Sequence, residues 1–266
     1  HMITTGKFLI LGCGSSLGVP VIGCTCKVCS SKSPYNKRLR PAGCIYWKDK
    51  KFLLDASPDF RAQALQFSIN EIDGILFTHA HNDHIGGMDD LRIYSLMSHR
   101  KIPCLLSEDT LSGIRKRYHY LLHADAQDGK VTSKFHFHTL PKENGEILFE
   151  GLRVHYMSYH QSSMRVTGFR LKNFAYLTDI HTYSNHIFSL LEGVSTLVIS
   201  APRWNETKSH LTIEEAISFT RHLNIGKTYF THLAHDLDYE ETNRRLPSGF
   251  ELAYDGLELT IDIEGE

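Results

Sequence analysis

Seven short apolar runs punctuate the chain: Lys7–Leu11, Phe52–Leu54, Gly74–Thr78, Leu152–Tyr156, Phe174–Thr178, Thr196–Ser200 and Lys227–Thr231. Most are continuous rather than alternating, which predicts strands buried on both faces. Amphipathic segments lie between them, at Asp59–Phe67, Met88–Ser98, Tyr183–Leu191 and Thr212–Leu223. The last of these opens with Thr212 and Glu215 in capping-box spacing. Lys172-Asn173 predicts a hairpin turn between Thr167–Leu171 and Phe174–Thr178. Strands alternating with helices, together with hairpins, predict a mixed α/β protein whose helices cover its sheets. No repeat or Pro/Gly/Ser linker divides the chain, so residues 3–263 are expected to form one domain. His1-Met2 resembles a cloning scar and is set aside.

The strand ends carry the chemistry. Gly74–Thr78 runs into His79, Leu152–Tyr156 towards His160, Phe174–Thr178 into Asp179 and Lys227–Thr231 into His232. If those ends share one edge of the sheets, four metal-type side chains converge on rigid supports.

Composition narrows the picture only slightly. The 266 residues are 41% hydrophobic and 22% charged, ordinary for a globular protein. A formal net charge of −1 argues against extensive phosphate gripping, and so against nucleic acid as a partner. The densest basic run, Arg115-Lys116-Arg117, reads as a solvated helix face. No apolar run reaches the roughly 20 residues that span a bilayer, and no signal peptide is evident. A cytoplasmic location without membrane association is therefore expected.

His79, His81, Asp83 and His84 lie within six positions. Neutral imidazole and carboxylate suit Zn²⁺, Mn²⁺ or Fe²⁺. Ile85-Gly86-Gly87 is expected to turn the backbone tightly before the next helix. The four side chains cannot complete two coordination shells alone. Asp179 is the natural bridge, and His160 and His232 are candidates to close the shells. Two metals about 3.5–4 Å apart would clamp the attacking and leaving oxygens of a phosphate ester.

Cys24, Cys26 and Cys29 offer three thiolates at short spacing, which in a chain of this size favours a structural zinc over disulfides. His235, three residues beyond His232, is the candidate fourth ligand. Cys13, Cys44 and Cys104 sit in apolar surroundings and read as core residues.

Strand-His79-x-His81-x-Asp83-His84, followed by His160, Asp179 and His232, resembles the metallo-β-lactamase-fold hydrolases, from Leu11 to Leu259. The resemblance implies an αββα four-layer sandwich with a dinuclear site at one edge of its two sheets. The segment from Gly12 to Pro20, the cysteine cluster and the segment from Leu246 to Gly256 are similar, within that family, to the phosphodiesterases of the bacterial carbon–phosphorus lyase pathway. Those enzymes open phosphoribosyl 1,2-cyclic phosphate. By resemblance, His79, His81, His160 and Asp179 hold one catalytic metal, manganese or zinc, and Asp83, His84, Asp179 and His232 the other. Cys24, Cys26, Cys29 and His235 hold a structural zinc. His210 matches a histidine that contacts phosphate and protonates the leaving oxygen, so His210 and Asp83 are the catalytic candidates.

The expected function is hydrolysis of a small cyclic or nucleotide-like phosphodiester through a metal-activated water. The alternative is a tRNA 3′-processing endoribonuclease or another hydrolase of the same superfamily. No basic Gly/Pro-rich arm for gripping tRNA is present. The His-rich segment from Tyr118 to His138, with His119, His123, His136 and His138, reads as surface near the pocket mouth. A homodimer is compatible with the sequence.

Overall fold

All seven apolar runs become strands in a computed structural model of the chain, which describes residues 2–122 and 134–266. The first half contains β1 (Met2–Gly12), β2 (Ala42–Trp47), β3 (Lys50–Leu54), α1 (Phe60–Gln66), β4 (Gly74–Leu76), α2 (Asn82–Ile85), α3 (Arg92–Ser98) and β5 (Ile102–Leu106). It continues with α4 (Glu108–Arg117), α5 (His119–Leu122), β6 (Phe135–Thr139) and β7 (Gly145–Phe149). The second half contains β8 (Leu152–Gln161), β9 (Met164–Leu171), β10 (Phe174–Leu177), α6 (His186–Leu190) and β11 (Thr196–Ser200). It ends with α7 (Ile213–Thr220), β12 (Lys227–Thr231), α8 (Tyr239–Arg245), β13 (Phe250–Leu252) and β14 (Glu258–Gly265).

The strands hydrogen-bond in one continuous path, β13-β12-β11-β10-β9-β8-β14-β1-β2-β3-β4-β5-β6, with β7 pairing β8. The path folds back on itself. Phe8 of β1 lies four strands along the path from β10, yet its ring centroid is 4.6 Å from Phe174 and 5.6 Å from Tyr176. The alternation along β1 explains the layers, because successive side chains point to opposite faces. Phe8 and Ile10 join the core between the two halves, with Phe169, Tyr176 and Ile199. Leu9 and Leu11 face the other way, into a second core under Phe60, Met88, Leu91 and Ile114. A strand buried on both faces has no polar positions to spare, hence the unbroken apolar runs.

The expected helices form, each shorter than its amphipathic segment, and α7 carries the Thr212–Glu215 capping box. The β9–β10 hairpin turns at Lys172-Asn173, with Lys172 in the left-handed region at φ 48°. Met2 pairs with Gly265, so the β1–β14 ladder runs beyond both expected domain limits. Arg115, Lys116 and Arg117 are exposed at the end of α4, and Cys13, Cys44 and Cys104 are fully buried. His119 and His136 are exposed and His138 partly so, whereas His123 lies outside the described residues. Among the described residues, no helix is long and apolar enough to cross a membrane.

Candidate metal centre

β3, β4 and β5 run parallel, as do β10, β11 and β12, so each group delivers its carboxyl ends to one edge. Ligand sites in open α/β sheets form at such edges. The two groups meet there, joined by a hydrogen bond from Thr167 N–H to the Thr78 carbonyl at 2.9 Å. A buried threonine precedes three of the site residues: Thr78 before His79, Thr178 before Asp179 and Thr231 before His232. Thr178 Oγ1 donates to Asp179 Oδ2 at 2.6 Å. The chain bends sharply at the strand ends, where Asp55, Asp179 and His232 adopt φ of 62°, 57° and 60°. Non-glycine residues are held in that left-handed region at a cost, and such residues cluster at functional sites.

The donor atoms converge. His84 Nε2 lies 3.0 Å from Asp179 Oδ2 and 3.3 Å from Asp83 Oδ2. His232 Nε2 lies 3.1 Å from Asp83 Oδ2 and 3.3 Å from Asp179 Oδ1. His79 Nε2 is 3.0 Å from His81 Nδ1 and 3.9 Å from Asp179 Oδ1. Three overlapping groups have donor atoms close enough to share an ion: His79, His84 and Asp179; Asp83, His84 and His232; Asp179, His210 and His232. Among the described residues, His84 Nε2 is close to two carboxylates but forms a directed hydrogen bond to neither. A buried imidazole nitrogen held among carboxylate oxygens without a directed bond is what a cation-binding shell requires.

His84 stands between the two halves of the motif, its ring 4.2 Å from that of His79 and 5.7 Å from that of His232. Gly86 and Gly87 are needed for close approach rather than for an unusual backbone, since Gly86 is helical at φ −62°. A Cβ on Gly86 would stand 2.5 Å from Pro58 Cγ, and one on Gly87 2.5 Å from the Ser57 carbonyl. Neither His81 nor His160 belongs to the three groups, but His81 Nδ1 stands beside His79 at their edge, whereas His160 is exposed and is not brought into the cluster.

Two residues outside the expected set complete the support. Asp55 is fully buried at the end of β3 and accepts from His84 Nδ1 at 2.7 Å, Thr78 Oγ1 at 2.7 Å and Thr78 N–H at 2.8 Å. A carboxylate on the far nitrogen fixes the imidazole's orientation and leaves Nε2 facing the site. Its signal was present in the sequence, since Phe52–Leu54 is another apolar run ending in a carboxylate. Gln161, at the end of β8, lies with its amide nitrogen 3.0 Å from His210 Nε2.

The charges are coupled. Burial alone would lift the carboxylates, but the neighbouring histidines overcome it and hold Asp83 and Asp179 well below the usual range. Burial disfavours charge on His84 and His232, yet Asp83 and Asp179 raise both. Burial and then His84 push His79 well down, and burial and then His232 push His210 down to about 4.

A second cluster lies in the loop after β1. His235 Nδ1 stands 3.3 Å from Cys24 Sγ, 3.6 Å from Cys26 Sγ and 3.4 Å from Cys29 Sγ. A tetrahedral zinc with S and N ligands at about 2.3 and 2.1 Å would set them roughly 3.6 Å apart, so the four atoms fit such an ion. Hydrogen bonding from the Cys29 N–H is the largest influence that lowers the Cys26 thiol to about 6, while burial pushes Cys29 up to about 11. Arg38 ties this loop to the catalytic edge, donating to the carbonyls of Ala234 at 3.0 Å and Leu237 at 2.6 Å.

A two-half sheet with a His/Asp cluster at the carboxyl ends of its strands defines a metallo-β-lactamase-fold, metal-dependent hydrolase. The Beta-lactamase superfamily domain matches residues 50–233, and the chain belongs to that family. A crystal structure of a diphosphatase from the PhnP family is similar, with 35% identity and a TM-score of 0.90, covering 98% of this chain and 99% of that one. Zinc-bound PqqB from Methylobacterium extorquens shares the fold at 20% identity and a TM-score of 0.77, covering 96% of this chain and all of that one. An octanoyltransferase of Porphyromonas gingivalis is 33% identical over 264 residues, covering 97% of this chain. The chain spans about half, 52%, of that relative's length. The fold implies divalent metals, and the His/Asp clusters fit them.

Proposed function

We propose that the protein is a dinuclear-metal phosphodiesterase acting on a small cyclic or nucleotide-like phosphate. The observation that carries this reading is the placement of Asp179. Its Oδ2 faces His84, and its Oδ1 faces His232 and, more distantly, His79 and His210. One carboxylate thus serves both halves of the cluster. His79, His81 and Asp179 would hold one ion, and Asp83, His84, Asp179 and His232 the other. Cys24, Cys26, Cys29 and His235 would hold a structural zinc. Two such ions, when bound, would activate a water and neutralise the charge that develops on the phosphoryl oxygens. Asp55 keeps His84 aimed at the site, and the buried threonines hold the strand ends rigid. His210 contacts the phosphate and moves a proton to the leaving oxygen. Similarity to a PhnP-family diphosphatase over nearly both whole chains supports chemistry at phosphorus. The net charge of −1 disfavours a polynucleotide substrate.

A substrate panel tests the reading: bis-p-nitrophenyl phosphate, five-membered cyclic phosphates, nucleoside diphosphates and precursor tRNA. Turnover of the small phosphates is expected, and cleavage confined to tRNA would refute it. His210→Ala is expected to slow turnover about 10²- to 10⁴-fold without loss of metal, and a wild-type rate would remove His210 from the mechanism.

The electrostatics give a further expectation. Ligation needs neutral imidazole, and His84 and His232 hold their protons tightly in the ion-free cluster. Metal uptake therefore releases protons, and its apparent affinity rises with pH. Isothermal titration at about pH 6 and about pH 8 checks this, spanning the ordinary histidine range. In chelator-treated protein the sign is reversed. The raised histidines contribute stability fully below about pH 6.5 and lose it as pH climbs through their higher folded-state values. The depressed Asp83 and Asp179 contribute above about pH 3.9, a contribution lost only in stronger acid.

A further inference from the structure

We propose that the inward position at the end of β8 belongs to Gln161 rather than His160, and that Gln161 is a positioning residue for His210. The inference rests on the hydrolase reading above and names a group that reading lacked.

Alternation along β8 decides the faces. Tyr159 is buried, and its hydroxyl donates to the Thr178 carbonyl at 2.7 Å, beside Asp179. Residues i and i+2 of a strand share a face. Gln161 therefore points with Tyr159 towards the site and is only 8% exposed. His160 points away and is exposed. Its backbone is pinned: its N–H donates to the Thr182 carbonyl at 2.9 Å, and its carbonyl accepts from His181 and Thr182, both at 3.0 Å. Turning His160 inward by a one-residue slip would break all three bonds and expel Gln161 and Tyr159.

Gln161 meets His210 directly. Its amide Nε2–H donates to His210 Nε2 at 3.0 Å, while its Oε1 is buried with no partner among the described residues. An imidazole nitrogen that accepts a hydrogen bond carries no proton, so neutral His210 holds its proton on Nδ1. Nδ1, which has no partner among the described residues, is then the nitrogen whose proton His210 delivers, while Nε2 faces Asp179 unprotonated. The backbone of His210 is held by Thr207: its N–H donates to Oγ1 at 2.8 Å, and Thr207 Oγ1 donates to its carbonyl at 2.9 Å. Gln161 is thus the hydrogen-bonding group that sets the ring's orientation and tautomer.

The test uses the zinc-loaded protein and three variants, Gln161→Ala, Gln161→Glu and His160→Ala. The imidazole ¹⁵N shifts of His210 report its tautomer, elemental analysis reports metal per chain, and steady-state kinetics separates kcat from KM. Gln161→Ala is expected to lose the fixed tautomer and lower kcat about 10- to 100-fold, with KM and metal content unchanged. Gln161→Glu, whose carboxylate accepts from Nε2–H, is expected to move the proton to Nε2. His160→Ala is expected to keep its full metal content. An unchanged tautomer in both Gln161 variants overturns the proposal, as does loss of an ion from His160→Ala. Failure of the wild-type protein to hold the ion pair would sink the dinuclear reading instead. The tautomer measurement needs no ion and decides the role of Gln161 in either case.

Discussion

Asp179→Asn is expected to lower phosphodiester turnover by at least about 10³-fold while leaving the protein folded. Asparagine suits the position because it tolerates the left-handed backbone that Asp179 adopts at φ 57°. It also keeps an oxygen, so the change removes charge rather than volume. That charge faces His84, His232, His79 and His210 at 3.0 to 3.9 Å, on both sides of the cluster. On the two-ion reading, losing it would weaken both ion sites together, whereas a change at His232 would strike chiefly one. Turnover of bis-p-nitrophenyl phosphate, read beside elemental analysis and circular dichroism, checks the result. Wild-type turnover by a folded variant would end the bridging role.

Cys26→Ala is expected to act on stability more than on chemistry, lowering Tm by about 10 °C as zinc is lost. Arg38, Asn36 and Arg40 pin the later part of the loop between β1 and β2, but the stretch that carries the cysteines has less to hold it. Its own apolar cluster has only Val19, Val28 and Cys29 buried, with Val21, Cys24 and Cys26 packed against them. So small a core cannot offset the entropy of ordering a long loop, and binding energy at the cysteines would supply the rest. Cys26 Sγ faces His235 Nδ1 and accepts from the Cys29 N–H at 3.4 Å. Its loss opens the shell and removes the contact that braces its neighbour. An unchanged zinc content and melting temperature would show that the four residues hold no structural ion.

Much of this site is legible before any coordinates. His79, His81, Asp83 and His84 are close in sequence and must be close in space, because a single helical turn, Asn82–Ile85, spans little distance. Asp179 and His232 are distant in sequence, but each follows an apolar run, and buried parallel strands put their carboxyl ends at one edge. Asp55 obeys the same rule, yet its run is only three residues long and its neighbour Thr78 carries no metal-type side chain. Nothing local distinguished it from a turn residue.

His160 and Gln161 mark the limit of sequence reasoning. Both follow the run Leu152–Tyr156, and histidine is the better ligand by residue type. Composition and spacing favour His160, but strand pleating assigns faces by parity, and parity depends on where the strand ends. β8 continues to Gln161, and the bridge from His160 to Thr182 fixes its register. That bridge joins residues 22 apart and forms only when the end of β8 packs against the segment that follows β10. The sequence by itself therefore determined the apolar strands, the ligand-rich turn after β4 and the cysteine cluster, all set by short-range order. Tertiary structure alone decided which of two adjacent side chains enters the site, that Asp55 braces His84, and that one carboxylate, Asp179, faces both halves of the cluster. Each of those depends on the relative placement of segments that only the packed core brings together.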